Sequence, residues 1–155
     1  MNILIVEDSV IEATLLQKTL EKVLPGSLKV SHVQTLATAQ DFLKVSRAET
    51  DLVFLDLGLP DSRDWHETYK AILPHAEHLP IIVMTANKSP EVVQELMKHG
   101  IQDYIVKGSR KHDAELLKET IEFALMRHKV VGDLSKKIEE KDQCVHWLTG
   151  GYSAG

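Results

Sequence analysis

Hydrophobic residues along this chain alternate between two textures. Five short apolar runs are strand-length, rich in β-branched residues and bounded by turn or polar residues: ILIV at 3–6, LKVSHV at 28–33, DLVFL at 51–55, PIIVM at 80–84 and DYIV at 103–106. Between them lie longer segments whose apolar positions recur at helical spacing. The first carries Val10, Leu15, Leu16, Leu20 and Val23, and its opening Ser9-Val-Ile-Glu12 fits a capping box. The second runs from about Thr35 to Arg47 and the third over roughly Asp64 to Leu73. The fourth opens with Ser89 as cap and Pro90 at the first helical position, and ends before Gly100. The fifth starts near Asp113.

Regular strand–helix alternation predicts an α/β fold, doubly wound, with a five-stranded parallel sheet and helices on both faces, because parallel crossovers place helices there. The first, third and fourth runs are apolar almost throughout, as interior strands should be. The second run contains Lys29, Ser31 and His32 and suits an edge. No internal repeat appears, and GGYSAG at 150–155 reads as a flexible tail.

Five polar side chains fall at the carboxyl-terminal ends of these strands: Glu7, Asp8, Asp56, Thr85 and Lys107. In open α/β sheets that edge holds the ligand crevice. If the first and third strands are neighbours, three carboxylates converge there, and like charges so close need a cation to neutralise them. A hard divalent ion such as Mg²⁺, or Mn²⁺, fits such an oxygen-rich site. Lys107 adds a fixed positive charge and Thr85 a hydroxyl. The set suits phosphoryl transfer, with Asp56 as the nucleophile forming an acyl phosphate and Lys107 neutralising charge on the phosphoryl oxygens. Taken singly, each residue has an ordinary reading as a helix-start charge, a loop cap or a surface group. Their joint placement on one edge is what argues for function.

Composition narrows the setting. The net charge of −5 excludes a general nucleic-acid-binding surface. A single cysteine, Cys144, allows no intramolecular disulfide and fits a reducing cytoplasm. No apolar stretch approaches a membrane span, and MNILIVEDS lacks the basic start of a signal peptide, so the fold is expected to begin with the chain.

The motifs LIVEDS at 4–9, LVFLDLGLPDS at 52–62, IIVMTA at 81–86 and DYIVKG at 103–108 resemble the receiver domain of two-component response regulators. The resemblance implies a flavodoxin-like sheet of order 2-1-3-4-5 over residues 1–128. It implies that Asp56 is the phosphoacceptor, that Glu7, Asp8, Asp56 and the backbone carbonyl of Gly58 surround Mg²⁺, and that Lys107 contacts the phosphoryl group. Thr85 would hydrogen-bond that group while Tyr104 changes rotamer, a switch biased by a local charge change. The partner implied is a histidine kinase or phosphotransfer protein. The chain departs from the family pattern at Gly108, where proline usually follows the lysine, and at Arg63-Asp64-Trp65-His66, which should alter the start of the third helix. Gly58 and Asn87 hold the places that influence phosphoryl lifetime in the family, and small Gly58 leaves room for an attacking water.

Competing readings fit less well. A flavodoxin would repel its flavin phosphate with Glu7-Asp8, and a haloacid-dehalogenase-type phosphatase would carry its nucleophile after the first strand, in a pattern that VEDS does not supply. A phosphate-independent scaffold would not need all five polar residues. The chain therefore reads as a signalling switch and not as an enzyme beyond its own phosphoryl transfer and dephosphorylation. His75 and His78, bracketed by Pro74 and Pro80, read as a solvated loop pair, His128 as an ordinary helix residue, and Trp65 as surface or half-buried.

The last helix is more informative. Leu117, Ala124, Val131, Ile138 and Val145 recur every seven residues, interleaved with Thr120, Arg127, Leu134, Lys141 and Leu148. Residues 129–148 thus predict an extension able to form a two-stranded coiled coil and a homodimer. A helix from Asp113 to about Leu148 would span roughly 50 Å at 1.5 Å per residue. It resembles the connectors that join receivers to diguanylate cyclases or histidine kinases, so the chain reads as a single-domain regulator or as the receiver end of a longer protein. Residues 149–155 read as tail.

Overall fold

The computed structural model describes residues 1–86, 89–101, 103–108 and 114–150, the side chains of Cys144 and of 146–150 excepted. The readings placed on Asn87, Asp113, Cys144, Leu148 and residues 151–155 fall outside what is described. The elements alternate as β1 (Asn2–Val6), α1 (Val10–Val23), β2 (Lys29–Val33), α2 (Leu36–Ser46), β3 (Leu52–Asp56), α3 (Trp65–Ile72), β4 (Ile81–Thr85), α4 (Pro90–Lys98), β5 (Tyr104–Val106) and α5 (Ala114–Gly150). A short 3₁₀ turn at Arg47–Glu49 leads from α2 towards β3. All four strand pairings are parallel and the order is β2-β1-β3-β4-β5, as expected for a doubly wound sheet.

Successive side chains of a strand point to opposite faces, so each interior strand feeds two cores. Leu4, Val6, Val53, Leu55 and Val83 meet Leu36, Ala39 and Leu43 of α2, Ile72 of α3 and Leu96 of α4 on one face. Ile3, Ile5, Leu52, Phe54, Ile82 and Met84 meet Ala13, Leu16 and Leu20 of α1 and Leu117, Ile121 and Ala124 of α5 on the other. Burying each of these large side chains contributes about 1.5–3 kcal/mol. Every residue of β3 is buried, whereas β2 and β5 have no fully buried residue, as edges should.

Local chemistry sets the helix ends. Ser9 accepts from the Glu12 N–H, but the reciprocal half of the expected capping box is supplied from outside the helix, because the Ser9 N–H donates to Oε1 of Glu7 at 3.2 Å. Asp64 caps α3 and Ser89 caps α4. Helix α4 closes in a Schellman motif: Gly100, at φ +84°, donates to Met97, and Ile101 donates to Leu96 while packing beside it in the core. His75 and His78 lie in the turn between α3 and β4, as the flanking prolines predict.

Helix α5 continues unbroken through Gly132 to Gly150, two residues past the expected end. The expected seam divides in two. Leu117 and Ala124 are consumed by the domain's own core, at 5% and 1% exposure, while Val131, Ile138 and Val145 are 54–60% exposed. The described residues of the second half of the seam thus face solvent rather than the domain's core. The root of the free part is tied down by His128, whose Nε2–H donates to the His78 carbonyl at 2.8 Å, and by Arg127 paired with Asp103.

One cap comes from another element. Helix α2 has its own capping box, Thr35 with Thr38, yet its first two N–H groups, on Leu36 and Ala37, donate to Asp61 Oδ1 and Oδ2 at 2.8 and 2.9 Å. Burial pushes the Asp61 carboxyl up, but these N–H donors outweigh it and hold its pKa below the usual 3.8. A depressed folded pKa means that this stabilisation is present above the unfolded value and is lost as pH falls through the folded one. Asp61→Ala is expected to lower stability in urea titrations by about 1 kcal/mol at pH 7. The difference from wild type should shrink as the pH falls below the ordinary aspartate range.

Candidate functional site

The carboxyl-terminal ends of β1, β3 and β4 meet at one edge. Asp56 and Thr85 are the last residues of their strands, each 5% exposed; Thr85 thus lies within β4 rather than just beyond it. Glu7 follows β1 at 1% exposure, and Asp8 beside it is exposed. Lys107 follows β5, its N–H donating to the Thr85 carbonyl at 2.8 Å, so the short edge strand holds the lysine's backbone at the site. The ammonium lies 2.5 Å from Glu7 Oε2 and 2.9 Å from Asp56 Oδ2. It bridges the two buried acids.

Electrostatics follow from this crowding. Burial raises the Glu7 pKa above its usual 4.5; Lys107 pulls it down, and the neighbouring Asp56 pushes it up again. Burial likewise disfavours the charged lysine, yet the two carboxylates outweigh that and raise the Lys107 pKa. Both Glu7 oxygens are engaged, Oε2 by the Lys107 ammonium and Oε1 by the Ser9 N–H.

One carboxylate oxygen from each of Glu7, Asp8 and Asp56 lies within 4.8 Å of the others. With all of them ionised, three carboxylates and one ammonium leave two negative charges, the charge a divalent cation balances. An all-oxygen donor set of this net charge fits Mg²⁺ or Mn²⁺. Gly58 sits in the loop after β3, its N–H donating to Asp56 Oδ1 at 3.1 Å. A Cβ built on it would stand 3.7 Å from that oxygen, so any larger residue would lean over the carboxylate.

The same cleft is lined by Asp56, Gly58, Trp65, Thr85, Val92 and Lys107. Tyr104 is placed apart, half-buried in the groove between α4 and β5 beside Val93 and Met97. Trp65 is half-buried too, packing edge-on against His66 and against His99 at the end of α4, with ring centroids 5.2 and 5.4 Å away. Gly108 takes a left-handed φ of 69°, which the proline usual in this place cannot adopt. The residues that hold the acidic loop from β2, His32 and Gln34, escape a reading by strand ends. The one signal in the sequence was the polarity of the second run.

A parallel sheet of order 2-1-3-4-5 with an acidic cluster and a lysine at its carboxyl-terminal edge defines a class of signal receiver. The family profile described as response regulator receiver domain matches residues 3–122, and the chain belongs to that family. It is 30% identical over 112 residues to the regulatory protein LuxO of Vibrio cholerae, covering 72% of this chain and 23% of that one. The chain therefore spans about a quarter of that relative's length. The signal receiver domain of a protein described as a LuxO repressor from Vibrio parahaemolyticus superposes with a TM-score of 0.68 at 27% identity, over 86% of this chain and 95% of that one. The receiver domain of a modulated diguanylate cyclase from Desulfovibrio desulfuricans G20 gives 0.65 at 26% identity, over 83% and 96%.

The raised Glu7 has a consequence for stability. Because its folded pKa exceeds 4.5, its contribution to metal-free stability is full below that pH and is lost as pH rises through the folded value. Without divalent ions, Glu7→Gln is expected to melt above wild type at pH 8, and the two should converge towards pH 4. Adding Mg²⁺ should reverse the order at pH 8, since a ligand at a hundred times its Kd stabilises by about 2.7 kcal/mol. Thermal melts with and without MgCl₂ check this.

Proposed function

We propose that this chain is a phosphorylation-controlled switch in which Asp56 takes a phosphoryl group from a histidine kinase or phosphotransfer protein. A carboxylate oxygen of Asp56 attacks phosphorus and forms the O–P bond of an acyl phosphate. The P–N bond to the donor histidine breaks, and its electron pair stays with the imidazole nitrogen, which takes up a proton. Mg²⁺ or Mn²⁺, held by Glu7, Asp8, Asp56 and the Gly58 carbonyl, would supply charge neutralisation at the phosphoryl oxygens. Lys107 serves the same end from the opposite side by leaving its carboxylates for the incoming phosphoryl. Thr85, in the same cleft, is suited to hydrogen-bond a phosphoryl oxygen. Tyr104 would then respond by a rotamer change in its groove. The observation that carries this reading is Lys107 bridging Glu7 and Asp56 beside an acidic cluster.

On this reading the chain is no enzyme beyond its own phosphoryl transfer and dephosphorylation, and residues 1–128 act as the receiver. Residues 129–148 pair with a second copy through Val131, Leu134, Ile138 and Val145. Among the described residues no helix is long and apolar enough to cross a membrane, which accords with a cytoplasmic setting, and the acidic balance accords with no nucleic-acid partner. A second reading is favoured by the long connector helix and by the share of LuxO that is matched. In it the chain is the receiver end of a longer protein whose output is a diguanylate cyclase or a histidine kinase, as in the D. desulfuricans relative for the former.

Incubation with an acyl phosphate donor and Mg²⁺ is expected to add the mass of one phosphoryl group to wild type and none to Asp56→Asn. An unmodified wild type, or modification that survives Asp56→Asn, would overturn the reading. For the helix, sedimentation of the full chain should give a dimer that Ile138→Asp converts to monomer. A wild type that remains monomeric with and without the donor defeats the pairing.

A further inference from the structure

The loop that carries the acidic pair runs past the end of the ladder that could hold it. Strand β1 stops at Val6 and β2 at Val33, and the last backbone bond between them is Glu7 N–H to the Val33 carbonyl at 3.0 Å. From there two side chains take over. His32 Nε2 lies 2.7 Å from the Glu7 carbonyl, and Gln34 Nε2 donates to the Asp8 carbonyl at 3.3 Å. A carbonyl only accepts, so His32 must carry its proton on Nε2. Neither residue lines the cleft around Asp56.

We propose that His32, assisted by Gln34, is a positioning residue for the divalent-cation site. This rests on the reading of Glu7 and Asp8 as the pair that holds the cation. The His32 and Gln34 N–H groups tether the successive carbonyls of Glu7 and Asp8, and so hold the backbone from which both carboxylates leave. The Ser9 N–H completes the arrangement by fixing Oε1 of Glu7, which leaves Oε2 facing Lys107. A half-buried histidine on an edge strand is thereby explained: it does through a side chain what a longer strand would have done through its backbone.

Calorimetric titration of the full chain with MgCl₂ tests this. His32→Leu is expected to weaken Mg²⁺ binding about tenfold, the lower end of the effect of removing an outer hydrogen-bond partner from a metal site. His32→Gln, which keeps an N–H at similar reach, should stay close to wild type. Gln34 is exposed, so Gln34→Leu probes the same idea without disturbing the core and should give a smaller loss in the same direction. In phosphorylation assays the Mg²⁺ concentration for half-maximal rate should rise in His32→Leu while the rate at saturating Mg²⁺ is unchanged. A purely structural role would instead lower the melting point of the leucine and glutamine variants alike and leave their Mg²⁺ affinity intact. Wild-type affinity in both leucine variants, or equal loss in His32→Leu and His32→Gln, overturns the positioning role alone. Absence of Mg²⁺ binding by wild type overturns the metal reading and this role with it.

Discussion

Everything at the active edge depends on holding buried carboxylates together without letting them protonate or drift apart. Glu7 and Asp56 are taken almost wholly out of water, which is costly for a charged group. The Lys107 ammonium between them offsets part of that cost. Its presence explains why the chain needs β5 at all. That strand has three residues, none fully buried, with Tyr104 packed against one core and Ile105 against the other. What it does is deliver one cation to one place, locked by a backbone bond to the strand that ends in Thr85.

Around this pair the fold places its rigid parts at the reacting face and its irregular parts where adjustment is needed. Asp56 stands at the end of a strand with no exposed residue, so the carboxylate has a fixed origin. The loop beyond it is held at several points. Asp61 is drawn to the start of α2, and Ser62 Oγ and Thr68 Oγ1 lie 2.5 Å apart, with the Thr68 hydroxyl reaching the Leu57 carbonyl at 3.3 Å. These contacts confine Gly58 and Trp65 to the rim of the cleft. The altered Arg63-Asp64-Trp65-His66 segment therefore does not loosen the start of α3; Asp64 caps it and Trp65 leans towards α4.

The sheet order and the gathering of Glu7, Asp8, Asp56 and Lys107 at one edge were legible because both arise from periodicity and placement. Apolar runs mark strands, and the polar residues at their carboxyl-terminal ends mark the functional edge. The observed strands still begin and end a residue or so away from the apolar runs, since the ladder pairs backbone groups and is indifferent to Asp56 or Thr85 carrying polar side chains. What could not be read were bonds between segments far apart in sequence. His32 with Glu7 and Asp61 with Leu36 each join residues 25 apart, and no local spacing encodes them. The heptad pattern is ambiguous for a related reason. An apolar stripe records that a helix face is covered, not what covers it, and the same seven-residue repeat served the domain's own core at Leu117 and Ala124 before it reached solvent at Val131.

That divided helix has mechanical consequences. Its first half is a structural member of the core, packed against α1 and β4, and its second half stands free, with no break at Gly132 to absorb motion. The free half, from Val131 to Gly150, reaches about 30 Å at 1.5 Å per residue. A rigid rod rooted in this way is a lever with a short inner arm and a long outer one. A tilt too small to disturb side-chain packing at Ile121 becomes a displacement of ångströms at the far end. A change of angle at the root would thus be amplified by distance alone.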